Sequence, residues 1–302
     1  MASTGRSRKI PSVLIMGATC VDRILSVASY PTQDEKIRTT SNVDMCGGNA
    51  ANVAAALALL SSSAFARHAK PGPSSSVSST NAIDCKRVFR VVLLTKVGDD
   101  DAAFRLKADL EAQGVDCSSR LFVMQPNSTT SITTVIASES EQTRTCVHSP
   151  GTCGELSVEE VDDALSSSTE DLDDLFHNAI LFHSDTRHTP AAVTLAKEAR
   201  RRGIPISVDV EKDRGQVMEE LVAKASIVFG NEDKLQQYAM NQLMNSSDGG
   251  VSSRSVNFQA TDANNALQDP GVDHGGNHQI VASFLTHGGD ATQRDKSVVV
   301  TR

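Results

Sequence analysis

An α/β fold with a doubly wound, mainly parallel sheet and a small antiparallel β lid is what this 302-residue sequence predicts. Three observations predict it. Short apolar runs, most of them β-branched, recur along the chain and are each too short for a helix, as buried parallel strands are. Segments of helical period lie between them, and strand–helix–strand alternation builds a layered sheet. Two further segments alternate apolar and polar residues, which marks half-exposed antiparallel strand.

The strands come in order at Val13-Leu14-Ile15-Met16, Val91-Val92-Leu93-Leu94, Ile180-Leu181-Phe182, Ile204 to Val208, Ile227-Val228-Phe229 and Val298-Val299-Val300. Helices are expected at 49–60, which is Ala/Leu-rich, and at 101–113, which opens on acidic residues and stops at Gly114. Two more are expected at 190–202, with Pro190 at its start and Gly203 beyond its end, and at 216–224. The alternating segments, 21–45 and 128–148, supply the lid, a plausible cover for a cleft. Residues 61–87 and 245–279 are rich in Ser, Asn, Asp and Gly. They bury too little apolar area to offset ordering entropy and are expected to be disordered surface insertions in a single domain.

Composition narrows the function. Lys and Arg number 29 against 37 Asp and Glu, a formal net charge of −8, and there is no Trp. An acidic chain poor in stacking side chains is not built for nucleic acid. No apolar run approaches the roughly 20 residues of a membrane span. The six cysteines form no Cys-x-x-Cys pair, and the first nine residues are polar and basic rather than secretory. A cytoplasmic protein with reduced thiols is expected, the short basic arm being also compatible with the stub of an organelle transit peptide. His148, His183 and His188 share no metal-ligand spacing, so no metal ligand is assigned.

The sharpest local signal is Cys46-Gly47-Gly48-Asn49-Ala50-Ala51-Asn52. Two glycines before an Ala-rich helix let its N-terminal N–H groups approach a ligand. Asn49 and Asn52 share one face, and amides both donate to and accept from sugar hydroxyls. Spacing alone leaves a capped, buried helix as an equal reading.

The stretch from Gly47 to Ala54 resembles the first signature of the PfkB (ribokinase-like) carbohydrate kinases. Gly17-Ala18-Thr19-Cys20-Val21-Asp22, Lys96-Val97-Gly98-Asp99-Asp100 and Thr143-Arg144-Thr145-Cys146-Val147-His148 match further family segments in order. Val208-Asp209-Val210-Glu211-Lys212 with Val228-Phe229-Gly230-Asn231-Glu232 is similar to the ketohexokinase-like branch. The resemblance implies a Rossmann-like sheet with a β lid, ATP and Mg²⁺ as cofactors, and phosphoryl transfer to a sugar hydroxyl. It implies that Asp22, Gly47, Gly48, Asn49 and Asn52 bind the sugar, and that Asn231 and Lys212 lie near the nucleotide phosphates. A homodimer through the lid is also implied. Asp185, Arg187, Asp209, Glu211 and Lys212 fall at or just after strand ends. A nucleoside kinase and a non-catalytic binding relative are the alternatives.

Two departures from the family pattern stand out. Asn231-Glu232-Asp233-Lys234 has Lys where the family's Asn-x-x-Glu motif carries Glu. The second signature, Asp-Thr-x-Gly-Ala-Gly-Asp, holds the family's base and anion hole, and it does not occur in these 302 residues. The resemblance therefore places the base beyond Arg302, and the chain as written is expected to turn over poorly. Thr286-His287-Gly288-Gly289-Asp290 precedes the last strand and reads as a loop.

Overall fold

The computed structural model describes residues 10–68, 87–166, 175–231, 233 and 235–238, with three strands at 260–262, 280–284 and 296–301. The chain divides into two compact units, Met1–Ile180 and Leu181–Arg302.

The first unit runs β1 (Ser12–Met16), β2 (Cys20–Val27), β3 (Ser41–Gly47), α1 (Asn49–His68), β4 (Arg90–Gly98), α2 (Asp101–Gln113), β5 (Phe122–Gln125), β6 (Ile132–Ser138), β7 (Thr143–Ser149) and α3 (Val158–Ser166). β1, β4 and β5 pair in parallel. Leu14, Ile15, Met16, Leu93 and Leu94 are wholly buried, as continuous apolar strands covered on both faces must be.

A second sheet, in the order β3-β2-β6-β7, forms the lid. Its outer pairs are antiparallel, but β2 and β6 run parallel in register from Val21↔Ile132 to Val27↔Ser138. The expectation of antiparallel strand for both lid segments is therefore corrected where they meet: the segment 21–45 joins 128–148 through the parallel β2–β6 pair, and β3 pairs only with β2. The reason lies at the strand starts. β2 and β6 set out side by side, Val21 N donating to Ser131 O at 3.0 Å, and each then returns through its own hairpin.

An acidic pair joins lid to core. Asp100 caps α2 by accepting from Ala103 N at 3.0 Å, and it also accepts from Thr130 N and Thr130 Oγ1 at 2.9 and 2.7 Å. Asp99 accepts from Asn127 N and Ser128 N. The residues that start α2 thus also fix where β6 begins. α2 ends at Gly114, whose φ of +91° suits glycine and whose N–H bonds back to the helix.

The second unit takes up β8 (Ala179–Ser184), which spans the division, followed by α4 (Thr189–Arg201), β9 (Ile206–Asp209), α5 (Gln216–Lys224), β10 (Ile227–Asn231), β11 (Ala260–Asp262), β12 (Ile280–Phe284) and β13 (Lys296–Thr301). β8, β9, β10 and β13 pair in parallel. β12 and β11 add antiparallel strands beyond β13. The fold is thus α/β with mainly parallel pairing plus a lid.

α2 and α5 occupy their expected bounds, whereas α1 runs to His68, eight residues past Leu60. Ser61 can be carried into the interior because its hydroxyl donates to Phe89 O at 2.8 Å and accepts from Phe89 N at 3.1 Å. The remainder of the expected insertion, 69–86, lies outside the described residues. So do the 286–290 loop and all of 245–279 except β11, which is strand where an insertion was expected.

Candidate functional site

In the first unit Asp22 sits on β2 opposite Met45 of β3 and Thr133 of β6. The next residue but one back along the strand, Cys20, is opposite Gly47. A Cβ placed on Gly47 would lie 2.2 Å from Asp22 Cγ, so the carboxylate occupies the space a side chain at 47 would fill. Gly48 has φ +93°, and a Cβ there would be 2.4 Å from the Ala18 carbonyl oxygen. Both glycines are thus required, the first by the Asp22 side chain and the second by backbone.

The loop after β1 and the start of α1 are stitched together. Ala51 N donates to Ala18 O at 3.3 Å, and Asn52 N donates to Gly48 O at 2.9 Å. Asn49 is the first residue of the helix and half-buried, whereas the Asn52 side chain is exposed one turn on. Asp22, Gly47, Gly48 and Asn49 therefore meet beyond the carboxyl end of β1, where open α/β sheets place their ligands. Asn52 continues that helix face.

Two thiols border this cluster. Cys20 Sγ donates to Asp22 Oδ1 at 3.4 Å. Burial pushes the Cys20 thiol up to about 12, so it stays protonated and a donor at neutral pH. Burial, with Asp109 and Asp22 nearby, pushes Cys46 up to about 11. Both are poor nucleophiles in this state. The motif drew attention to the glycines and Asp22, and the Cys20 contact follows from the two being alternate residues of one strand.

The other sequence-derived candidates belong to the second unit. Asp185 follows β8, is 3% exposed, and accepts from Arg187 N at 2.9 Å. Thr186 and His188 hold left-handed φ values of +65° and +59° in the same turn. Asp209 ends β9; burial first, then Asp185 and Glu211, push its carboxyl above the usual carboxylate range. Glu211 and Lys212 are exposed in the turn before α5, and Asn231 is exposed at the end of β10. Glu232 and Lys234 lie outside the described residues.

His183 is a core residue. Its Nδ1 is 2.9 Å from Ser207 Oγ, its ring stands edge-on to Phe229, and burial pulls it down to about 4, hence neutral. Among the described residues no three His, Cys, Asp or Glu side chains cluster as a metal cage. No helix among them is long and apolar enough to cross a membrane.

Residues 11–252 match the family described as pfkB family carbohydrate kinase, and the chain belongs to that family. No curated protein matches the chain. Solved structures share the fold. A ribokinase from Arabidopsis thaliana, solved with ribose and ATP, is 17% identical with a TM-score of 0.54, over 76% of this chain and 62% of that one. A fructokinase from Xylella fastidiosa is 17% identical with a TM-score of 0.53, over 77% and 63%. A ribokinase from Giardia lamblia is 16% identical with a TM-score of 0.54, over 76% and 61%. This chain therefore spans less than two thirds of the length of each of these relatives.

Proposed function

We propose that this chain is the sugar-recognising part of an ATP-dependent carbohydrate kinase of ketohexokinase-like type. The observation that carries the reading is the Asp22 carboxylate lying on Gly47, beside the Gly48–Asn49 turn that opens α1. A carboxylate accepts hydroxyl hydrogens, and helix-terminal N–H groups and amides supply complementary partners. Such a set orients one sugar hydroxyl for attack, and phosphoryl transfer depends chiefly on orientation and charge stabilisation.

ATP would supply the transferring phosphoryl group. Lys212 and Asn231 fit an anionic group, since one is a cation and the other an amide donor, and both are exposed at or beyond the ends of parallel strands. Mg²⁺ would arrive on the nucleotide phosphates, keeping most of its water. Cytoplasmic placement and dimerisation through the lid complete the proposal.

Calorimetric titration with D-fructose, D-ribose and adenosine tests it. Binding of D-fructose or D-ribose that Asp22→Asn weakens at least about tenfold is expected, a carboxylate hydrogen bond accounting for such a loss. Binding of adenosine alone would favour a nucleoside substrate, and no binding to any of the three would refute the assignment. A coupled ATP-turnover assay on the same samples separates a kinase from a protein that binds sugar without turnover.

A further inference from the structure

We propose that Cys20, Thr133 and His148 are positioning residues for Asp22, forming a directed hydrogen-bond chain from the lid's edge strand to the sugar-facing carboxylate. The proposal rests on the reading of Asp22 as a sugar contact.

The geometry is set by register. Cys20 and Asp22 are two apart on β2 and so share a face. Thr133 of β6 is opposite Asp22, and His148 of β7 is opposite Thr133. Four side chains from three adjacent strands therefore line up on one side of the lid. His148 Nδ1 is 3.0 Å from Thr133 Oγ1, Thr133 Oγ1 is 3.7 Å from Cys20 Sγ, and Cys20 Sγ is 3.4 Å from Asp22 Oδ1.

Counting hydrogens gives the chain its direction. The Cys20 thiol has one hydrogen, and the carboxylate can only accept it. The sulfur is then left to accept from the Thr133 hydroxyl, whose single hydrogen is thereby used. With that hydrogen on sulfur, the Thr133 oxygen accepts from His148, which places a hydrogen on Nδ1. The chain thus commits Asp22 Oδ1 to the protein and leaves Oδ2 for a ligand. It also limits the swing of a short side chain that would otherwise rotate freely over a glycine.

The sequence explains why each residue type serves. Cys20 is 6% exposed, and a thiol satisfies that site with an apolar body and one weak donor. Threonine is β-branched, suits a strand, and has few χ1 choices, so its hydroxyl points one way.

The test has two arms. In the first, nitrogen-15 NMR of the His148 ring at neutral pH, without sugar, reads the tautomer. The Nδ1–H form is expected in the wild type, with conversion towards Nε2–H in Thr133→Val. A wild-type Nε2–H ring, or one indifferent to Thr133→Val, overturns the chain whatever Asp22 binds. In the second arm, D-fructose and D-ribose affinities are measured by calorimetry. Cys20→Ala and Thr133→Val should each weaken binding about three- to tenfold, the range of one lost hydrogen bond. Cys20→Ser and Thr133→Ser should restore it, with urea midpoints checked so that folding losses are recognised. Equal affinities in Ala and Ser variants would refute the positioning role. An intact NMR signature with sugar binding indifferent to Asp22→Asn would instead refute the sugar reading, and the positioning role with it.

Discussion

The lid of the first unit and the strand-end cluster of the second place their polar residues by opposite means. In the lid, β2, β3, β6 and β7 pair over seven residues at each junction, and Asp22 lies against Gly47 of β3 and accepts from Cys20 of its own strand. In the second unit, Asp185 is held by its own turn, and Glu211, Lys212 and Asn231 are exposed at strand ends. Register is unforgiving, because a one-residue slip turns every side chain to the other face. Strand-end loops tolerate change. Substitutions in the lid cluster should therefore act together, and those in the second unit separately.

The largest effect expected is at Gly48. Alanine there must adopt a left-handed φ and meet the Ala18 carbonyl, so Gly48→Ala should cost roughly 3 kcal/mol or more in urea unfolding. Gly47→Ala sharpens the contrast. The three atoms nearest its methyl all belong to the Asp22 side chain, so the loss should appear as weakened D-fructose or D-ribose binding, about tenfold or more, with much less loss of stability. A Gly47→Ala protein with unchanged sugar affinity would separate Asp22 from the sugar site.

Glu160 is next. Its Oε2 accepts from Ser157 N at 2.8 Å while Glu160 N donates to Ser157 Oγ at 3.2 Å, a reciprocal cap for α3. Its Oε1 also meets Lys96 Nζ at 2.7 Å, where the lysine is only 10% exposed. Glu160→Ala removes both and should lower the unfolding free energy by about 2 kcal/mol. Glu160→Gln, which keeps an acceptor for the cap, should recover about half.

These residues show what the sequence made legible. Apolar runs located six of the seven parallel strands described outside the lid, because burial on both faces leaves no polar residues to blur the pattern. The acidic opening and Gly114 bounded α2 because helix-end signals are local chemistry. The glycine pair and Asp22 were legible only through a motif of fixed spacing. Thr133 was not legible as a neighbour of Asp22, since which residues face each other across strands depends on pairing between segments over 100 residues apart. The parallel β2–β6 pairing was hidden for the same reason, as alternation reports exposure and not strand direction. β5, at four residues, is too short to show a period.

In the second unit the smaller effects are electrostatic. Asp209 is half-buried near Asp185 and Glu211, and its carboxyl is pushed up. A group that binds its proton more tightly when folded favours the fold below its unfolded pKa and loses that contribution as pH rises through the folded value. Asp209→Asn should therefore raise the unfolding free energy from urea denaturation at pH 7.5 by about 1 kcal/mol or less, with the gain shrinking towards pH 4. A gain that does not vary with pH would show that Asp209 is not strained by burial and like charge.

The smallest effect returns to the lid and decides whether its two faces are read correctly. Arg23 is the neighbour of Asp22 on β2, and alternation sends it to the opposite face. There it stands opposite Asp44 of β3 and donates twice, Nε to Oδ1 at 2.8 Å and Nη2 to Oδ2 at 2.9 Å. That fork holds the Asp44 carboxyl below its ordinary range. Both side chains are 43% exposed, however, and a wet ion pair loses most of its Coulomb energy to solvent and salt. Arg23→Ala should shift the urea midpoint at the edge of detection in low salt and not at all in 1 M salt. It should leave the affinity for D-fructose or D-ribose unchanged, whereas Asp22→Asn one residue away should weaken it at least about tenfold. Equal damage from both would mean that the two side chains share a face. The β2–β3 register, and with it the line from His148 to Asp22, would then have to be redrawn.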